Sequence, residues 1–155
     1  MPNNSNLNFK YRKDDVNSSL GILGIRLAVG TPISMVAGFV GNIINGIFIP
    51  SPAAGDEFAF AARMFVLGIA ASTGGMVAWF NALESKSGAA AIWILAAIGG
   101  LIGAVVAYYV GSTYIDHPDV YILNQRLTQT IMLGAAIGSN VFAAVVSIAR
   151  SRMPK

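Results

Sequence analysis

The side chains of this chain that could do chemistry are few and widely spread. The densest group is Asp116-His117-Pro118-Asp119, two carboxylates and an imidazole within four residues. Histidine and carboxylate are both competent metal ligands, and histidine titrates near neutral pH. The spacing matches no metal motif, however, and aspartate around proline is ordinary turn chemistry, with side chains bonding the backbone two residues on. The expectation is a plain polar loop and no metal site.

Arg63 and Arg126 are the next candidates, each close to or inside an apolar stretch. Asp56, Glu57, Asp116 and Asp119 are placed to pair with them at an interface, where long basic side chains snorkel toward water. The sharper alternative is an arginine lining an anion pathway, because charge within a membrane marks function. Asn42, Asn45 and Asn140 supply the strongly polar groups furthest inside apolar stretches. Interhelical hydrogen bonds worth ~1 kcal/mol each are the expected use. A narrow polar pathway past Asn42, Arg63 and Asn140 is the alternative.

Other chemistries lack their residues. The chain has no cysteine, which excludes disulfides, thiolate ligands and cysteine nucleophiles. Its one histidine, His117, lies outside the apolar stretches, so axial histidine ligation of haem has no candidate. No acid falls deep in an apolar stretch, and no nucleophile–base pair or glycine-rich phosphate loop is present. A non-enzymatic chain without a cofactor is expected.

The elements that must position these residues are apolar helices. Of 155 residues, 55% are hydrophobic and 11% charged, against roughly 25% charged in soluble domains. Mean hydropathy is +0.63. Four blocks, at about 20–49, 58–80, 89–111 and 127–149, use most of the length. Each is long enough to cross a hydrocarbon core of roughly 30 Å. The predicted fold is an all-α bundle of four membrane-spanning helices, flanked by a polar tail at 1–19 and a basic tail at 150–155. The polar start carries no secretory signal pattern, so the first block is expected to serve as an uncleaved insertion signal.

The third block, Ala89 to Gly111, runs 23 residues without a charge and is the expected organising, buried span. Within it Gly99, Gly103, Ala107 and Gly111 recur at every fourth position. Such small-residue ladders let helix backbones approach where packing must hold helices together. Gly30, Ser34, Gly38, Asn42 and Gly46 form a ladder in the first block, with Asn42 expected to face inward. Gly74 belongs to a ladder in the second block, Gly134 and Gly138 to one in the fourth. Pro32 predicts a kink or tilt in the first block, and Trp79 an interfacial anchor for the second. Ser51 to Glu57 reads as a turn, 81–88 as a tight polar hairpin, and 112–126 as the longest internal loop.

Charge sets the expected orientation. Lys10, Arg12, Lys13, Arg26, Lys86, Arg150, Arg152 and Lys155 fall on one side, and Arg63 and Arg126 on the other. The positive-inside rule then puts both termini in the cytoplasm of a bacterial or archaeal cell. The net charge of +3 reflects these flanks, and no nucleic-acid partner is expected.

Leu27-Ala28-Val29-Gly30 and the run on to Ile49-Pro50, 24 of the 155 residues, resemble the first helix of large-conductance mechanosensitive channels. That family has two spans and a cytoplasmic helix per subunit, whereas four apolar blocks stand here. Nothing of its function is carried over. The expected role is a non-catalytic structural or assembly subunit of a larger membrane complex, partnered by the bilayer and by other subunits or copies of itself. A homo-oligomeric channel or small-solute transporter is the alternative.

Overall fold

The computed structural model describes the backbone of residues 5–48, 57–79 and 86–151, and the side chains of 21–48, 57–79 and 88–149. All of these but 115–119 fall in four helices: α1 (Ser5–Phe48), α2 (Glu57–Trp79), α3 (Lys86–Tyr114) and α4 (Val120–Ser151). All four are long and apolar enough to cross a membrane. The expected turn at 51–56, hairpin at 81–85 and the end of the basic tail lie outside the described residues.

The helices begin and end further out than the apolar blocks. The backbone of α1 is helical from Ser5, through much of the stretch read as a polar tail. No glycine or proline occurs between residues 5 and 19, so nothing local breaks the helix there. The loop expected over 112–126 shrinks to residues 115–119. Ser112 and Thr113 turn their hydroxyls back onto the Tyr109 carbonyl, at 2.9 and 2.8 Å. Polar side chains that read as loop are thereby satisfied by the helix itself. Asp119 then caps α4, its Oδ1 accepting from the amides of Tyr121 at 2.8 Å and Ile122 at 3.3 Å. Those amides have no carbonyl partner inside the helix, which is what a capping aspartate supplies.

Contacts between helices fix the arrangement. Gly99 meets Gly138 and Gly103 meets Gly134, a constant residue sum that makes α3 and α4 antiparallel. Gly41 lies against Ala70 and Ser34 against Gly74, an opposite running order that makes α1 and α2 antiparallel as well. Among the described residues α2 and α4 each touch all three other helices, while α1 and α3 do not touch one another. The expectation that Ala89–Gly111 organises the bundle is therefore corrected. The central pair is α2 and α4, and α3 keeps an outward face with Ile94, Ile98, Ile102 and Val106 exposed.

The interior has two apolar layers with a waist of small residues between them. One layer gathers Phe60, Leu67, Leu127 and Ile131 from α2 and α4 around Ala104. The other packs Trp79 against Ile92, Ala96, Ala143 and Ala144. At the waist a Cβ on Gly100 would stand 2.6 Å from Ser139 Oγ, and one on Gly68 would stand 3.1 Å from the Gly100 carbonyl carbon. Backbone is packed on backbone there, leaving no room for a side chain at either glycine.

Candidate functional site

Asn140 is the polar centre of the bundle. It is fully buried, and its side chain is bonded on both ends. Trp79 Nε1 donates to Oδ1 at 3.0 Å. Nδ2 donates to Ser34 Oγ at 2.9 Å and to the Ala136 carbonyl at 2.8 Å. One amide thus links α1, α2 and α4. Gly30 makes this possible, since a Cβ there would collide with the Asn140 amide and sit 2.9 Å from Ala78 Cβ.

The expected interfacial role of Trp79 is corrected by this arrangement. The indole is 1% exposed, because its N–H finds an acceptor inside and its ring fills the layer around Ile92. The Arg26 guanidinium lies over that ring, 5.9 Å from its centroid, close enough for cation–π attraction.

The small-residue positions divide into tight seams and looser contacts. Gly99, Gly103, Ala107, Gly134 and Gly138 lie together where α3 crosses α4, with Gly103 and Gly134 backbones in contact. A Cβ at Gly74 would stand 2.5 Å from Ser34 Cα, so α1 and α2 are equally close. A Cβ at Gly111 would meet side chains instead, Leu127 at 3.1 Å and Thr130 at 3.4 Å. A Cβ at Gly38 would stand an ordinary 3.9 Å from Met132.

The first-block ladder does not stay on one face. Steps of four residues advance the helix by about 400°, so four such steps drift by about 160°. Gly46 has nothing near it, and Asn42 is only half-buried. The buried positions of α1 are instead Gly30, Ser34, Gly38, Gly41 and Asn45. Asn45, not Asn42, is the inward amide, 2% exposed with neither side-chain polar atom bonded.

Arg63 departs most from expectation. Interfacial pairing with an acid was predicted, yet the side chain is 7% exposed between α2 and α4. Its Nη1 donates to Thr128 Oγ1 at 2.8 Å, while Nε is buried without a partner. The Thr128 hydroxyl in turn donates to the Asn124 carbonyl at 2.8 Å. Threonine about two turns into α4 can play this part because its hydroxyl reaches its own helix's carbonyl four residues back. Neither Thr128 nor the unpaired state of Arg63 stood out in the sequence.

Arg63 lines a cavity of about 1010 Å³ between the C-terminal half of α1 and the first turns of α4. Asn42, Asp116, Gln125, Arg126 and Gln129 give it a polar wall, and Val36, Phe39 and Leu133 an apolar one. Asn140 lies outside it, so the structure brings together only two of the three pathway candidates, Asn42 and Arg63. His117 stands apart, with Nδ1 accepting from the Asp119 amide at 3.0 Å. Among the described residues no group of three potential ligands can hold a metal ion.

No protein-family model, curated protein or solved structure matches this chain.

Proposed function

We propose that this chain is an integral membrane protein with both termini on the cytoplasmic side of a bacterial or archaeal cytoplasmic membrane, serving as a non-catalytic structural or assembly subunit of a larger complex. The observation that supports this role is the way the interior is filled. Glycine backbones meet at the α3–α4 and α2–α3 seams, Gly74 meets the Ser34 backbone between α1 and α2, and Asn140 bonds both Trp79 and Ser34 across helices. Close packing of this kind leaves little space for a substrate along these seams.

The outer surface supports the same reading. Ile25, Val36, Phe39, Ile43 and Ile47 give α1 an apolar outward face, which in a bilayer meets lipid or another helix. With 44 residues, α1 is about 66 Å long at 1.5 Å per residue. That is about twice the hydrocarbon thickness, so its N-terminal part extends past the membrane and offers an arm to a partner. The partners proposed are lipid, other membrane subunits or further copies of the chain, and not nucleic acid.

The experiment is gentle detergent extraction of the tagged chain from its own cells, followed by quantitative mass spectrometry. Other membrane subunits at fixed stoichiometry are the expected result, and a solitary monomer would count against the role. The channel or transporter remains the second reading, favoured by the cavity that Arg63 and Asn42 share. Solute flux into liposomes above background, altered by Asn42→Ala, would promote it over the first.

A further inference from the structure

We propose that the cavity between α1 and α4 is a binding site for the headgroup of an anionic phospholipid, with Arg63 as the residue that receives its phosphodiester. This rests on the membrane insertion proposed above, and not on the subunit role.

The argument begins with an unanswered charge. Arg63 is more than nine-tenths buried, and among the described residues no carboxylate pairs with it. Its hydrogen-bond partner among the described residues, Thr128 Oγ1, is neutral. The Thr128 proton is already committed to the Asn124 carbonyl, so the hydroxyl presents a lone pair to the arginine and holds the guanidinium in place. Buried Nε still has no acceptor. A guanidinium offers five donors in a planar fork, and an oxyanion is the group that fork binds best, two bonds at a time.

The walls say what carries the oxyanion. Beside Arg63 stand amides from Asn42, Gln125 and Gln129, which can donate to phosphate and glycerol oxygens. Val36, Phe39 and Leu133 line the same cavity and are exposed outward. A polar floor continuous with an apolar flank fits an amphiphile, and a small hydrophilic ion would leave that flank empty. The volume of about 1010 Å³ is at the upper end of small-molecule sites, enough for a headgroup and the first part of its acyl chains.

Depth and charge narrow the ligand further. Arg63 is six residues into α2 from Glu57, about 9 Å along the axis. That is within reach of the boundary where lipid phosphates lie. Arg126 adds a second positive charge to the lining and Asp116 one negative charge. The net of one positive charge suits a phosphodiester monoanion better than a phosphate dianion.

The test uses the full chain in neutral detergent, with lipid adducts counted by native mass spectrometry. Phosphatidylglycerol is compared with diacylglycerol of the same acyl chains, which lacks the phosphodiester, and both are challenged with inorganic phosphate. About tenfold or greater preference for phosphatidylglycerol is expected, the scale of one charge-assisted bond, and Arg63→Gln abolishes it. Should Arg63→Gln not fold, Val36→Trp decides the matter, because it fills the cavity from an exposed position and must remove the same adducts. Equal binding of the two lipids by the wild type overturns the proposal, as does a preference that survives either folded variant. Displacement by millimolar inorganic phosphate would show a free-anion site and overturn the lipid assignment.

Discussion

Trp79 and Asn140, 61 residues apart in sequence, share a buried hydrogen bond of 3.0 Å from indole nitrogen to amide oxygen. The bond ties α2 to α4 near one end of the bundle, and the same amide reaches Ser34 of α1. Three helices therefore depend on one side chain.

Replacing Asn140 with leucine leaves the Trp79 N–H without an acceptor and the Ser34 hydroxyl without its donor. Stability should fall by about 1–3 kcal/mol, the range for orphaned buried polar groups. Reversible denaturation in detergent measures it. Combined with Ser34→Ala, the loss should be less than additive, because the two residues share the interaction removed. Strict additivity would mean the Asn140–Ser34 bond contributes nothing.

Gly103→Leu forces a side chain into the Gly134 backbone. The helices must separate, at a cost of about 1–3 kcal/mol from overpacking. Ile94→Leu, at a position 51% exposed on the same helix, should leave melting unchanged. Identical thermal unfolding of Gly103→Leu and wild type would show that this seam is not closed in solution.

Asp119→Ala removes the cap from α4. The expected loss is about 1 kcal/mol, confined to the first turn. Amide hydrogen exchange should quicken at Tyr121 and Ile122, whose N–H groups point at Asp119 Oδ1. Exchange in the waist around Ser139 should not change.

Membrane topology is open to chemical labelling, because the chain is free of cysteine. Ser87 and Ser112 lie near opposite ends of α3, about 38 Å apart at 1.5 Å per residue. Cysteines placed there one at a time should react with impermeant reagents from opposite faces, that at Ser87 from the cytoplasm. Reaction of both from outside would rule out a spanning α3.

Four apolar helices were legible because runs of uncharged residues report length and hydropathy directly. Helix ends were not, because Ser112 and Thr113 are polar yet helical. Whether such residues form loop or helix depends on whether carbonyls one turn back accept their hydroxyls, or a cap such as Asp119 is set. The inward face of α1 was misjudged by counting strictly in fours, which put Asn42 where Asn45 belongs. Trp79 could not be placed by type alone, since an indole suits an interface as well as a core until its acceptor is known. The site was half legible. Arg63 stood out as a charge among apolar residues, but its neighbour Thr128 is an ordinary threonine until α2 and α4 are brought together.

The missing contact between α1 and α3 has a mechanical consequence. In cross-section the four helices form a rhombus with α2 and α4 on its short diagonal. Among the described residues, a displacement of α1 reaches α3 by way of that diagonal, through Ser34 against Gly74 and then Gly68 against Gly100, or through Ser34 against Asn140 and then Gly138 against Gly99. Substitutions on the outward faces of α1 and α3, such as Val36 and Ile102, should therefore show coupling energies near zero, within the few tenths of a kcal/mol that distant sites allow. Pairs that touch the diagonal will not. Whatever docks on one flank of this protein is insulated from the other unless it first moves α2 or α4.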